Sequence, residues 1–226
     1  MTKNTLSLAA IALLGIFTTS AQAQSFELDH LSLRVGATQI RPDLSSGDLS
    51  APSFPDTQIS SKSATSLAGG INYAFTEHWA IDLPMGLPFK HEIDGAGAIA
   101  GTGKLGTIKA VPATLLIQYR LMTADQQWQP YIGVGGTYAR FYDGKGTAAL
   151  SGITGGTPSN PTSLSQDNAS SIATQIGMSV AVTKHWFLDF NAIYAPLKTT
   201  GHLTTGQSIP LTLNSTAASL SVGYHF

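Results

Sequence analysis

Three sets of residues in this chain could do chemistry, and the first is a serine close to a histidine. His30 and Ser32 would lie on one face of a strand, within the reach that a hydrolase nucleophile and its base require. However, the chain has no Gly-x-Ser-x-Gly elbow, and a His-x-Ser triplet arises easily by chance. These residues therefore predict no catalytic site and no enzyme.

The second set is the histidines, since imidazole is a common metal ligand. The six histidines are scattered at positions 30, 78, 91, 185, 202 and 225, without the spacing of a metal site. The run GVGG lacks a dinucleotide fingerprint as well. The sequence therefore predicts no metal and no cofactor.

The third set consists of charged and amide side chains that alternation places on the less apolar face of predicted strands. Its members are Arg34, Asp82, Gln118, Arg120, Asp189 and Asn191. A charge that is removed from water requires a partner, and Arg120 ends the strand next to Asp82. We therefore expect an ion-paired plug inside the molecule, which could either select solutes or merely fill the interior.

Eight segments position these residues, because each alternates apolar side chains with small or polar ones in the period of a strand. They cover residues 31–38, 67–75, 79–90, 111–121, 128–142, 172–182, 186–194 and 219–226. In the third segment this alternation places Phe89 on the apolar face and Lys90 on the opposite face. The second face of most segments carries Gly, Ala, Ser, Thr, Asn and Gln, which suit an interior better than a solvated surface.

The connections between these segments alternate between short turns and long loops, as in a bacterial outer-membrane barrel. Two of the short turns repeat one cassette, in AFTEHWAIDL and AVTKHWFLDF, where a tight turn is followed by a tryptophan. Such barrels carry girdles of aromatic residues at the membrane surface. The predicted girdle comprises Trp79, Trp128, Trp186, Tyr224 and Phe226.

The N-terminus predicts export. A basic start, an apolar run over residues 6–17 and small residues near Ala23 predict a signal peptide over residues 1–23. Later segments are too short for a membrane helix, which needs about 20 apolar residues. The chain has 12 basic and 13 acidic residues, so nothing suggests a nucleic-acid partner. We therefore predict an all-β fold for residues 24–226: an eight-stranded antiparallel transmembrane β-barrel with short periplasmic turns and long extracellular loops.

Four stretches in this order and spacing resemble the outer-membrane protein W (OmpW/AlkL) family: LPFKHEIDGAG, AVPATLLIQYRL, QPYIGVGGTYARFYDG and SVGYHF. The resemblance implies a barrel of the bacterial outer membrane that passes small hydrophobic compounds such as alkanes. Phe226, at the end of the last alternating strand, resembles the C-terminal signal that the outer-membrane assembly machinery recognises.

A hydrophobic solute gains about 0.8 kcal/mol per methylene by leaving sideways into lipid rather than into water. Proline cannot donate to a strand ladder, and Pro84, Pro88 and Pro112 fall in the upper parts of the adjacent third and fourth strands. We therefore hypothesise a lateral portal there; alternatively, the prolines only end strands or form bulges. Apolar loop residues could form an entrance funnel or merely pack the loops together: Leu44, Leu49, Phe54, Leu105, Leu150 and Ile153.

Two other classes of function remain open. A structural or adhesive surface barrel, acting for instance as a receptor for phage or toxins, would have a filled lumen and transport nothing. An enzyme that modifies lipid A is the other, and it depends on the isolated His30 and Ser32 pair. The expected partners of a transporting barrel are outer-membrane lipid, small hydrophobic solutes and the assembly machinery.

Overall fold

The computed structural model describes residues 30–226, so the predicted signal peptide over residues 1–23 lies outside the described residues. Eleven strands and one short helix follow one another along the chain. They are β1 Leu31–Ser46, β2 Thr57–Ser61, β3 Ala64–Ala74, β4 Trp79–Gly86, β5 Phe89–Gly97, β6 Lys104–Arg120, β7 Trp128–Gly146, α1 Ala148–Thr154, β8 Leu164–Gln166, β9 Ala169–Ala181, β10 Trp186–Leu203 and β11 Ser208–His225.

Eight of these strands close into an antiparallel ring in the order β1, β3, β4, β6, β7, β9, β10, β11 and back to β1. The closing pair extends from Ser32↔His225 to Ser46↔Leu211. Strands β2, β5 and β8 extend the wall beyond the ring on the side of the long loops. A closed ring leaves no unpaired sheet edge, as hydrocarbon requires. The predicted eight-stranded barrel is confirmed.

The only helix of the described part, α1, lies among the extracellular loops. Its N-cap Thr147 accepts a hydrogen bond from the Leu150 N–H, and Gly155 ends the helix at a φ of 85°. Neither α1 nor any other helical segment between residues 30 and 226 has the length and hydropathy to cross a membrane.

The two faces of the wall divide as the alternation predicts. Outward side chains such as Val35, Leu115 and Ile172 are 58%, 55% and 69% exposed, while Asp82 and Asp189 point inward and are buried. The prediction for Phe89 was wrong, because this side chain is buried and points inward whereas Lys90 is exposed. The strand is interrupted between β4 and β5, at residues 87 and 88, and the alternation resumes one residue out of phase.

The interior has two parts along the barrel axis. Polar side chains fill the periplasmic half, whereas apolar clusters line the extracellular half. One cluster joins Ala139, Ala169, Leu197 and Leu213. A second lies nearer the loops and contains Leu49, Ile209 and Leu211.

Candidate functional site

A buried carboxylate and guanidinium pair lies at the centre of the polar half. Arg34 on β1 donates from Nη1 and Nη2 to the two carboxylate oxygens of Asp82 on β4, at 2.7 and 2.8 Å. Asn72 and Gln175 also donate to this carboxylate, at 3.3 and 3.2 Å. Asp82 is fully buried, so its charge is stabilised by this bidentate contact and by the two amides.

Asp189 on β10 forms the second centre of the same network. Its Oδ2 accepts hydrogen bonds from Tyr131 at 2.8 Å and from Ser179 at 3.0 Å, and its Oδ1 accepts one from Asn191 at 2.7 Å. The Nε of Arg34 lies 3.8 Å from Asp189 Oδ1. One guanidinium therefore holds two carboxylates from opposite sides of the barrel.

The predicted pairing of Arg120 with Asp82 was wrong. Arg120 instead donates to Asn72 Oδ1 at 2.8 Å, while Asp82 pairs with Arg34. Arg34 reaches Asp82 across β3 because its register partner there, Gly70, has no side chain; a Cβ at that position would lie 3.0 Å from Arg34 Nη2. The contact joins β1 with β4, which are separated in the ring by β3, so it could not be predicted from which strands are neighbours.

Gln118 completes the network, accepting from Asn72 and donating to Gln175, both at 2.7 Å. We call this group the polar plug; its members are Arg34, Asn72, Asp82, Gln118, Arg120, Tyr131, Gln175, Ser179, Asp189 and Asn191. The sequence prediction omitted four of them: Asn72, Tyr131, Gln175 and Ser179. Strand alternation alone places all four on the inner face, so that signal could have found them.

Aromatic rings cover two inward glycines in the periplasmic half of the barrel. The ring of Tyr131 covers Gly177, where an added Cβ would lie 2.3 Å from that ring, and Phe187 covers Gly223 at 2.0 Å. The glycines therefore make room for aromatic rings that fill the periplasmic half. The plug leaves little space for a solute to pass towards the periplasm.

Above the plug the barrel holds a cavity of about 1270 Å³, a volume that includes space open to solvent. Its wall is largely apolar and includes Ile40, Phe89, Ala110, Ile193, Leu197 and Leu213. A second cavity of about 560 Å³ lies among the loops and shares Ile59, Ile93, Gln166 and Leu211 with the first. Of the six apolar loop residues named above, Phe54 is 83% exposed and lines neither cavity.

The wall beside the lower cavity is not continuously paired. The β4–β6 ladder ends at Asp82↔Leu116, and the β5–β6 ladder begins at Phe89↔Ala110. No ladder pair in the described part joins residues 83–88 to residues 111–115. We call these two unpaired stretches together the wall gap. Pro84, Pro88 and Pro112 all fall in it, and Pro84 and Pro112 also line the cavity.

A similar interruption separates β9 from β10, between Thr174↔Tyr194 and the β8 pair Gln166↔Gly201. There, however, buried side chains pack across the interior: one cluster joins Ala169 with Leu197, and another joins Ala173 with Ala195. Within residues 30–226 no such buried apolar cluster spans the wall gap. The two interruptions therefore differ in how they are sealed.

The predicted girdle residues lie at the periplasmic rim. Trp79, Trp128, Trp186 and Phe226 are between 45% and 55% exposed, and Tyr224 packs edge-on against both Trp186 and Phe226. Their outward positions fit an aromatic girdle at the membrane surface. The role of Phe226 in assembly stays a prediction.

The repeated cassette builds the same joint twice. In each copy the threonine hydroxyl accepts the tryptophan N–H, at 2.9 Å for Thr76 and 3.0 Å for Thr183. His78 Nδ1 lies 2.9 Å from the carbonyl oxygen of Arg120, and His185 Nδ1 lies 3.2 Å from that of His225. Each histidine therefore ties its turn to the end of the next strand in the ring, which explains why the cassette recurs.

Removing either histidine is expected to weaken this joint. His78→Ala and His185→Ala each lose a ring-to-carbonyl hydrogen bond and a stacking contact with Tyr119 or Tyr224. We expect each to lower the free energy of unfolding by about 0.5–1.5 kcal/mol, measured by urea unfolding in lipid vesicles. Glu77→Ala and Lys184→Ala, at exposed positions of the same two turns, are the controls, and an equal loss there would contradict the assignment.

Comparison with known proteins agrees with this architecture. The sequence profile of the OmpW family matches residues 28–226. The chain belongs to the OmpW family. It is 25% identical to Outer membrane protein W of Escherichia coli over 225 residues, covering 98% of this chain and 99% of that protein. It is equally 25% identical to the dibenzothiophene metabolism operon protein PahQ of Pseudomonas aeruginosa, covering 85% and 87%.

The crystal structure of the outer membrane protein OprG from Pseudomonas aeruginosa has the same fold. It superposes with a TM-score of 0.77 at 24% identity, covering 87% of this chain and 95% of OprG. This OmpW-family chain is therefore a barrel of the bacterial outer membrane, in contact with the lipid of that membrane.

Among residues 30–226, no group of three or more His, Cys, Asp or Glu side chains could hold a metal ion.

Proposed function

We propose that this barrel is a non-enzymatic channel that admits small hydrophobic molecules from outside the cell and releases them sideways into the membrane. The observation that carries the proposal is an apolar cavity that opens towards the loops and ends on the polar plug. A hydrophobic solute that reaches the plug would have to enter a charged, hydrogen-bonded network to continue downwards. That route is unfavourable, because the solute cannot replace the bonds it would break.

The wall gap supports sideways release as the alternative route. It lies beside the cavity, and its lipid-facing rim is apolar: Leu83, Met85, Leu87 and Leu115 are between 37% and 58% exposed. A solute that crosses there moves from one apolar environment to another. Three prolines in the gap reduce the number of backbone N–H groups that could close it. The related protein PahQ is named for dibenzothiophene metabolism, and dibenzothiophene is an apolar compound.

Replacing the prolines tests this route. Pro84→Val, Pro88→Val and Pro112→Val together restore up to three N–H donors, and each hydrogen bond formed would stabilise the closed wall by about 0.5–1.5 kcal/mol. Since 1.4 kcal/mol corresponds to a factor of ten, we expect uptake to fall about tenfold. The measurement is uptake of a labelled hydrocarbon by cells that produce each variant.

Pro196→Val is the matched control, because Pro196 lies in the other interruption of the ring. We expect it to leave uptake unchanged. Wild-type uptake by the triple variant would count against the portal. If cells without the barrel took up the hydrocarbon as fast as cells with it, channel function itself would fail, and a structural or adhesive surface barrel would be the better interpretation.

A further inference from the structure

Four cations lie close together on the outer surface of the barrel, just above the wall gap. They are Lys90 on β5, Lys109 on β6, and Arg140 and Lys145 on β7, and we call them the basic row. Lys90 is the register partner of Lys109, and Arg140 pairs with Val111, two residues from Lys109. The row thus covers three neighbouring strands.

These side chains point outward because their chain neighbours point inward. Phe89 and His91 flank Lys90 and are buried, and Ile108 and Ala110 flank Lys109 and are buried as well. Arg140 follows the buried Ala139 and is exposed. The cations therefore face the surroundings of the barrel, not its cavity.

The height of the row matches the boundary between the acyl chains and the lipid head groups. Lys90 follows the girdle residue Trp79 by eleven positions. With a rise of about 3.3 Å per residue and a tilt of about 45°, that length of strand spans about 25 Å, the height of the apolar band of an outer-membrane barrel. Phosphate groups of membrane lipids lie at this level.

The positive charge of the row is not balanced by the protein. Asp143 is shared, 2.8 Å from Lys109 Nζ and 3.3 Å from Lys145 Nζ. Among the described residues, neither Lys90 nor Arg140 has an ion-pair or hydrogen-bond partner. Like charges directly opposite each other on a sheet are destabilising, so the Lys90 and Lys109 pair favours an anion from outside the protein.

The charges level with Lys145 and above it show the contrast; Glu92 and Lys145 are both register partners of Thr107. There, Lys62 lies 2.8 Å from Asp94, and Lys104 pairs with Glu92, so two cations meet two carboxylates. Among residues 30–226, by contrast, no carboxylate pairs with Lys90 or with Arg140.

We propose that the basic row binds the phosphate groups of a phosphorylated glycolipid in the outer leaflet, as lipopolysaccharide provides. Lysine binds phosphate as a point charge, and the guanidinium of Arg140 can bind it through two parallel hydrogen bonds. Such a site would hold one anionic lipid beside the wall gap. The proposal is independent of the transport function, since it requires only the lipid-facing side chains.

The test compares two double variants with the same loss of charge. Lys90→Gln with Arg140→Gln removes the two unpaired cations of the row. Arg41→Gln with Lys198→Gln removes two exposed cations from β1 and β10, on other strands of the barrel. Each purified barrel is mixed with detergent micelles that contain lipopolysaccharide, and the bound phosphate per protein is measured across a range of salt concentrations.

We expect the first pair of substitutions to weaken binding about tenfold or more at low salt, and the second to leave it unchanged. Lipopolysaccharide from which the phosphates have been removed should bind the wild-type barrel as weakly as intact lipopolysaccharide binds the first variant. An equal loss in both variants, or full binding of the dephosphorylated glycolipid, would overturn the proposal. Retention of the folded band on unheated gels confirms that each variant is a closed barrel.

Discussion

Closing the wall gap covalently is expected to reduce hydrocarbon uptake more than any single side-chain replacement. Extending the β4–β6 register by three residues beyond Asp82↔Leu116 brings Met85 opposite Ala113. The chain has no cysteine, so Met85→Cys with Ala113→Cys would present a unique pair of thiols to a short bis-maleimide. Met85 is 47% exposed to the lipid side, within reach of the reagent.

The size of the effect follows from the alternative route. A solute with eight methylene groups that had to leave through the plug into water would forgo about 6 kcal/mol, at about 0.8 kcal/mol per methylene. Because every 1.4 kcal/mol is a factor of ten, we expect uptake to fall to the background of cells without the barrel. Uptake of a labelled hydrocarbon before and after cross-linking measures it.

The control uses the same two strands below the gap. Ile81 and Ile117 are register partners in the intact β4–β6 ladder, and both face the lipid. Cross-linking Ile81→Cys with Ile117→Cys should leave uptake at the wild-type level, since that part of the wall is already closed. If both cross-linked barrels transported equally well, solutes would not leave through residues 83–88 and 111–115.

Loss of Arg34 is expected to be the most damaging change to the polar plug. Arg34→Ala leaves Asp82 fully buried without its guanidinium, and removing one partner of a buried pair costs about 3–5 kcal/mol. Water and ions would enter the space, so we also expect a higher single-channel conductance in planar bilayers. Arg120→Ala, which loses a bond to a neutral amide, should cost about 1.5–3 kcal/mol.

A double variant separates charge from packing in this prediction. Arg34→Met with Asp82→Leu removes both charges and keeps much of the volume, and such exchanges are often neutral or stabilising. We expect the double variant to recover the part of the stability that the unpaired Asp82 costs in Arg34→Ala, while Asp189 still lacks the guanidinium, as measured by urea unfolding in lipid vesicles. If Arg120→Ala proved more damaging than Arg34→Ala, the assignment of Arg34 as the central cation would be wrong.

Several features of this protein could be read from local pattern alone. Alternation with a period of two determines which side chains face lipid, because successive residues of a strand point to opposite faces. The inward positions of Asp82 and Asp189 and the outward positions of Trp79 and Trp186 follow from that rule. The alternation of short turns and long loops indicated which end of the barrel faces the periplasm. Because unpaired backbone groups are unfavourable in hydrocarbon, the lipid-facing outer surface required the strands to close into a ring.

Contacts across the barrel required the tertiary structure. Arg34 is separated from Asp82 by 48 positions, and its approach depends on the empty space at Gly70, which no local pattern reports. The inward turn of Phe89 depends on a one-residue slip at the break between β4 and β5, and alternation counted through that break gives the opposite face. The wall gap, too, depends on how neighbouring strands pair. Each proline removes a donor at its own position, but only the register of β4 and β5 against β6 brings the three prolines to one place.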